Sequence, residues 1–264
     1  MAARPARPPA SRFRERLLAH EPLLGTFVKT PTIHTTEILG ELGFDFVVID
    51  AEHAPFDRVS IDQVLVAAKA WDIAAMVRVE RSDHASILAA LDDGAAGVLV
   101  PHVADADKAR AVAEASRYRG GRRGFSNSPR AGRYGAAGIW EHVDAQDASV
   151  VAMAMIEDPE ALERLPEIFA TPGLDAAFIG RGDLTVALGA ASPDAPEVRA
   201  AVERITEAGR IAGKPLCAHL GAVGTDEARW LQDLGVSAFI VGSDQGLLRR
   251  AGAQALADFD AFKR

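Results

Sequence analysis

Residues 44 to 56 read FDFVVIDAEHAPF, and this stretch decides the fold. Phe46-Val47-Val48-Ile49 is a short, continuous apolar run rich in β-branched side chains, which suits a strand buried on both faces better than a half-exposed one. Charge arrives abruptly at its C-terminal end with Asp50, Glu52 and His53, and Pro55 then follows, unable to donate a ladder hydrogen bond. In a parallel α/β protein this is the edge where active sites are built. The same residues also fit a plainer assignment, in which Asp50 caps a helix and His53 is an ordinary loop residue.

Working outward, further strand-like runs occur at Leu23 to Lys29, Ala74 to Val79, Gly97 to Val100, Ser149 to Ile156, Asp175 to Ile179, Leu216 to His219 and Ser237 to Val241. Ala-rich segments with helical spacing lie between them, at Ser60 to Ala70, Ala85 to Leu91, Ala106 to Arg117, Pro159 to Phe169, Pro196 to Ala212 and Thr225 to Leu234; another precedes the first quoted stretch and is stopped by Gly43. Strands alternating with helices at this spacing predict a (β/α)8 TIM barrel. A doubly wound sheet is the alternative, but the glycine fingerprint of a dinucleotide site does not follow the first strand. The expected layout is a mobile tail over residues 1–20, rich in Pro, Ala and Arg, and a single barrel domain over 21–264. The stretch from Gln245 to Arg264 reads as an extra C-terminal helix whose Leu247, Leu248, Ala251 and Leu256 pack on the barrel or on a neighbouring subunit.

Composition narrows the function classes. The chain has 264 residues, 48% hydrophobic and 25% charged, enough for one large core. It has no apolar run of membrane-spanning length and no secretory signal at its start, so no membrane partner and a cytoplasmic location are expected. One cysteine, Cys217, excludes an internal disulfide framework and reads as a small buried apolar residue. A formal charge of −8 without a basic stripe argues against nucleic acid as a partner.

One connection is out of proportion. Residues 119–148, RGGRRGFSNSPRAGRYGAAGIWEHVDAQDA, are rich in Gly and Arg, and long loops in compact domains are commonly functional. Arg122, Arg123, Arg130 and Arg133 are expected either to form a mobile lid with cationic substrate contacts over the mouth or to decorate a solvated loop.

The strand ends form a set. Arg78 closes the third strand, His102 follows the fourth, Glu157 and Asp158 follow the fifth, and Asp183 follows the turn after the sixth, all on one face of a barrel. Glu157 and Asp183 offer hard oxygen ligands from adjacent strands, the kind of pair that holds magnesium or manganese with water completing the shell. Taken singly, each acid also suits a helix cap or an ion-pair partner.

The motifs FDFVVIDAEHAPFD, MVRVE, LDDGAAGVLVPHV, MIED and FIGRGDLTVALG, in this order and spacing from about Gly25 to Gly242, resemble the HpcH/HpaI family of metal-dependent pyruvate aldolases. The resemblance implies a modified (β/α)8 barrel, often hexameric, that binds a divalent cation (Mg²⁺, Mn²⁺ or Co²⁺) through Glu157 and Asp183. It further implies His53 as the catalytic histidine, Arg78 as the enolate-stabilising arginine and Asp92 as the aspartate that polarises the histidine. Backbone amides at Gly182 and Asp183 would meet the pyruvate carboxylate. Two positions depart from the common family pattern. Met155 stands where many members have Gln, and Arg181 lies in GRGD where many read GPAD, which bears on acceptor specificity.

The chemistry is coherent apart from the resemblance. A 2-oxo acid chelates a divalent cation through its carboxylate and keto oxygen, a Lewis-acid arrangement that favours the enolate, and Arg78 adds charge at the same oxygen. His53 suits the proton transfer because imidazole titrates near neutrality. The expected reaction is cleavage of 4-hydroxy-2-oxo acids to pyruvate and an aldehyde by a homo-oligomer. The alternatives are an acyl-CoA ester lyase of the citrate lyase β or malyl-CoA type using the Arg-rich loop, a Schiff-base aldolase using Lys29, and a non-catalytic barrel.

Overall fold

The computed structural model describes residues 8–263, and in it eight parallel strands close into a barrel in sequence order. They are β1 (Leu23–Val28), β2 (Phe46–Asp50), β3 (Ala74–Arg78), β4 (Gly97–Val100), β5 (Val151–Ile156), β6 (Ala176–Ile179), β7 (Leu216–Leu220) and β8 (Ala238–Ser243). Around them run α1 (Phe13–Leu18), α2 (Ile33–Leu42), α3 (Arg58–Ala70), α4 (His84–Asp92), α5 (Ala106–Ser116), α6 (Ile139–Ser149), α7 (Leu165–Phe169), α8 (Arg181–Ala187), α9 (Pro196–Ala212), α10 (Asp226–Asp233) and α11 (Asp244–Phe262). The fold is the expected (β/α)8 barrel. No described helix is long and apolar enough to cross a membrane.

Alternation along the strands separates two cores. Val47, Ile49, Val98, Val100, Ile156 and Ile179 face outward under the helices. Phe46, Val48, Met76, Leu99, Met153, Phe178 and Cys217 fill the barrel. Burial on both faces explains why these strands read as continuous apolar runs. Gly25 is required at its position because a Cβ there would stand 2.6 Å from the Phe46 ring. Several helices start on a side-chain cap: Asp57 and Ser60 form a capping box for α3, while Asp83, Asp105 and Thr225 cap α4, α5 and α10.

Three expectations change. Of the tail placed at residues 1–20, residues 1–7 lie outside the described ones. Residues 13–18 form α1, which plugs the end of the barrel where the strands begin. Phe13 and Leu17 are buried, and the Phe13 and Phe46 rings lie 5.2 Å apart. Arg14 and Arg16 tie this helix to Asp175 and Asp45, so the arginines that made the segment look like a tail are its anchors. Next, the helix expected over Pro159 to Phe169 is two pieces, a 3₁₀ turn at Pro159–Glu163 and then α7, parted at Arg164, two residues before Pro166. Finally, α11 leaves the barrel. Asp244 is its only buried residue, and Leu248, Leu256, Phe259 and Phe262 are exposed. It therefore does not pack its length on this chain's barrel.

Candidate active site at the barrel mouth

The period of two that fills the barrel also builds the mouth. Continuing the inward positions of each strand brings Lys29, Asp50, Arg78, Glu157, Gly180, His219 and Gly242 to the C-terminal edge. Beneath them lie Phe27, Met155 and Phe178 as an apolar floor, with the Phe27 and Phe178 rings edge to face at 6.2 Å. The cavity they bound measures about 590 Å³, within the range that holds a whole small substrate.

On the β1 to β3 side Asp50 is the hub. Fully buried, it accepts from Arg78 at 2.9 Å (Nε) and 2.7 Å (Nη2), from the His53 backbone N–H at 3.1 Å, and pairs with Lys29 Nζ at 3.0 Å. Burial would raise its pKa, but the Arg78 fork, Lys29 and the His53 N–H outweigh it and hold the carboxyl at about 2. Arg78 also meets Glu52 at 3.3 Å and lies over the Phe27 ring at 4.8 Å, so its guanidinium is locked in one plane. The His53 ring is more open, with a 55% exposed side chain and Nε2 3.7 Å from Glu52.

The β5 and β6 side has the opposite character. Glu157 is 3% exposed and lies close to the Asp183 carboxylate. Burial raises its pKa to about 7, and the Asp183 charge adds to the rise against an opposing N–H bond from His102 at 2.7 Å. Among the described residues no lysine or arginine pairs with Glu157 or Asp183, and no group of three or more His, Cys, Asp or Glu could hold a metal. Two crowded oxygen donors short of positive charge fit a hard divalent cation that takes its other ligands from water or substrate. Gly180 makes room for them: a Cβ there would come 2.5 Å from that of Glu157. His102 holds a left-handed backbone (φ 56°), with Nδ1 3.0 Å from Asp158.

With that geometry in view, comparison with known proteins is informative. The family model for HpcH/HpaI aldolase/citrate lyase matches residues 23–251. The chain belongs to this family. It is 34% identical over 256 residues to the 5-keto-4-deoxy-D-glucarate aldolase of Klebsiella pneumoniae, covering 96% of this chain and 97% of that one. It is 35% identical over 254 residues to a pyruvate aldolase of Rhizobium etli, covering 94% and 97%. Among solved structures, an HpcH/HpaI aldolase/citrate lyase family protein from Burkholderia cenocepacia superposes with a TM-score of 0.89 at 28% identity, covering 95% and 99%.

Within this family frame, the structure brings His53, Arg78, Glu157, Gly182 and Asp183 to one mouth and leaves two other elements away from it. Asp92 ends α4 beside the start of β4, at the far end of the barrel, and accepts from Arg123 at 3.1 Å. It therefore does not polarise His53 within one chain; the carboxylate beside that ring is Glu52. The lid expected at residues 119–148 is also displaced, because it links a helix to a strand and so leaves α5 at the strands' N-terminal end. There Arg117 donates to the Val150 carbonyl at 2.9 Å, and Arg130 donates to that of Asp93 at 3.0 Å. Arg122 and Arg123 pair with Glu114 and Asp92, and Arg130 and Arg133 with Asp62 and Glu141; no residue of the loop lines the mouth.

Sequence reasoning named Asp50 only as the charge that ends β2, without a site role, and did not single out His219 or Glu227 at the mouth. Asp50 was legible as the next inward position after Phe46 and Val48, and His219 as the next after Cys217.

Proposed function

We propose that this protein is a class II aldolase that uses a divalent cation (Mg²⁺, Mn²⁺ or Co²⁺) to cleave 4-hydroxy-2-oxo acids reversibly to pyruvate and an aldehyde. The observation that carries this reading is the pairing, across one mouth, of the Glu157–Asp183 carboxylates with an Arg78 guanidinium fixed by Asp50. The relatives named 5-keto-4-deoxy-D-glucarate aldolase and pyruvate aldolase are consistent with it.

Glu157 and Asp183 hold the cation, which when bound supplies Lewis-acid charge for a 2-oxo acid. Arg78 binds the C2 oxygen, and its fixed donors favour that oxygen as it gains charge. The N–H groups of Gly182 and Asp183 stand in the first turn of α8, where no carbonyl of the helix can accept them, and they orient the carboxylate. His53 takes the proton of the C4 hydroxyl as the C3–C4 bond breaks and returns one to C3; in the condensation direction it removes a proton from the pyruvate methyl. Asp92 lies too far from this path to serve within the chain.

Lys29 is engaged in an ion pair with Asp50 at 3.0 Å, which gives the Schiff-base reading less support than the metal-assisted one. The acyl-CoA reading loses its support with the paired arginines of residues 119–148. The exposed apolar side chains of α11 support a homo-oligomer, for which the family resemblance suggests a hexamer. The lone, buried Cys217 suits a reducing cytoplasmic setting.

The test is pyruvate release from a panel of 4-hydroxy-2-oxo acids with and without chelator. Release that stops on chelation and returns with added Mg²⁺, Mn²⁺ or Co²⁺ is expected. Undiminished release by metal-free protein, or by Glu157→Ala, overturns the assignment.

A further inference from the structure

The two carboxylates assigned to the cation are held in unlike ways. Glu157 follows β5 directly, is buried, and accepts from the His102 N–H at 2.7 Å. Asp183 is exposed and stands in the first turn of α8, so its place depends on where that helix starts. α8 spans seven residues, no side chain caps its start, and its buried residues are Arg181 and Leu184. A helix this short is marginal by itself and takes its position from tertiary contacts. Leu184 supplies one by joining the outer core. Arg181 supplies the other. Though only 6% exposed, it binds α10 and the connection between α8 and α9 at once: its guanidinium pairs with Glu227, donates to the Pro193 carbonyl at 3.0 Å and to Asp194 at 3.3 Å, and lies 5.8 Å from the Trp230 ring. Arg199 of α9 covers the same ring at 3.9 Å. A planar fork can serve these carboxylate and carbonyl acceptors together, which the point charge of a lysine cannot.

We propose that Arg181 is a positioning residue for the cation site: it clamps the start of α8 to α10 and to the α8–α9 connection, and so holds the Asp183 carboxylate beside Glu157. This rests on the aldolase reading above, in which those two carboxylates take the cation. The guanidinium is committed to its partners, so it acts through Asp183 and not on the substrate. Charge alone predicts the opposite sign. Removing Arg181 deletes a cation and leaves Glu227 unpaired, which makes the mouth more negative and would tighten its hold on a dication. Loss of a clamp loosens that hold. Arg181→Pro separates the two effects further, because the fixed φ of proline suits the first position of a helix and stiffens the start of α8 from within the backbone, with no guanidinium.

The test titrates Mn²⁺ into metal-free wild-type protein and variants by calorimetry, and follows deuterium exchange of the pyruvate methyl protons at limiting and at saturating Mn²⁺. In Arg181→Ala the Mn²⁺ affinity is expected to fall about tenfold, the low end for loss of a group that orients a metal ligand. Exchange drops at limiting Mn²⁺ and returns to within about threefold of wild type when Mn²⁺ saturates. Arg181→Pro recovers most of the affinity. Arg181→Lys, which keeps the charge and loses the fork, is the milder variant to read should Arg181→Ala unfold, and its affinity falls by at least about threefold. A purely structural clamp would lower Tm and leave the Mn²⁺ affinity of the folded variants unchanged. Affinity equal to or tighter than wild type in Arg181→Ala or Arg181→Lys, or no recovery in Arg181→Pro, overturns the proposal. Wild-type protein that binds Mn²⁺ but exchanges no pyruvate protons overturns the aldolase reading and leaves the clamp to be judged on affinity; wild-type protein that binds no Mn²⁺ overturns both.

Discussion

Replacing Asp50 with asparagine removes one charge and no volume, and its cost follows from the contacts. A carboxyl held at about 2 against 3.8 for a free aspartate contributes on the order of 2 kcal/mol to folding at neutral pH. The folded pKa is the lower one, so this stability is present above 3.8 and is lost as pH falls toward 2; near pH 3 about half of it remains. Asp50→Asn also leaves the buried Arg78 with Glu52 as its remaining carboxylate partner, in place of the bidentate grip, which brings the expected total loss to roughly 3–5 kcal/mol. Denaturant unfolding of parent and variant at pH 7 and pH 3 measures it, with a wide gap at pH 7 and a narrower one at pH 3. Turnover should fall by roughly 10²-fold as the Arg78 fork loses its fixed plane. A loss under about 1 kcal/mol at pH 7, or turnover equal to the parent, would show that Asp50 neither anchors Arg78 nor shapes the site.

Arg78→Lys keeps the charge but loses the planar fork and the bidentate grip on Asp50; kcat for pyruvate release should fall by roughly 10²–10³-fold with the circular dichroism spectrum unchanged, and parental turnover would make Arg78 structural. Gly180→Ala drives a Cβ against Glu157, so calorimetric Mn²⁺ affinity should drop at least tenfold; retained affinity removes Glu157 from the metal site. His53→Ala should lose both cleavage and pyruvate methyl exchange while still binding Mn²⁺. Retained exchange in that variant would transfer the base role to His102. Phe13→Ala opens a cavity in the barrel plug and should cost roughly 3–5 kcal/mol, read as a lowered Tm; a Tm within 2 °C of the parent means α1 adds little to the fold.

The barrel was legible because burial on both strand faces leaves an unmistakable mark: Phe46 to Ile49 and Val151 to Ile156 are unbroken apolar runs. The short helices were not. α8 begins Arg-Gly-Asp and spans seven residues, and α6 buries only His142 and Val143, so neither carries a clear apolar stripe. The ends of strands pointed to Arg78, His53, Glu157 and Asp183, because charge that stops an apolar run is conspicuous. Asp50 was harder to place, since its ion pairs with Lys29 and Arg78 span the ends of β1 and β3. Asp92 and the arginines of residues 119–148 misled for one shared reason. A helix returns the chain to the opposite end of the barrel, so a polar residue after a strand and one after a helix face different ends of the molecule.

On the proposed aldolase reading, the distribution of charge at the mouth calls for a cation before an anionic substrate is held. Among the mouth residues, Asp50 and Glu52 already match Arg78 and Lys29, and Glu227 matches Arg181, which leaves Glu157, Asp158 and Asp183 without a lysine or arginine partner among the described residues, with His102 against Glu157 and Asp158. A 2-oxo acid is itself an anion, and without a dication it enters a mouth of its own sign. Glu157, with its pKa pushed up to about 7, makes that repulsion pH-dependent. In metal-free protein pyruvate binding should weaken as pH rises from 6 to 8 and Glu157 loses its proton, whereas Mn²⁺ binding should strengthen over the same interval, approaching tenfold per pH unit below 7. Titration calorimetry of both ligands at pH 6, 7 and 8 checks the two slopes together. Slopes of the same sign, or metal affinity indifferent to pH, would mean that Glu157 is not the group on which proton and cation compete.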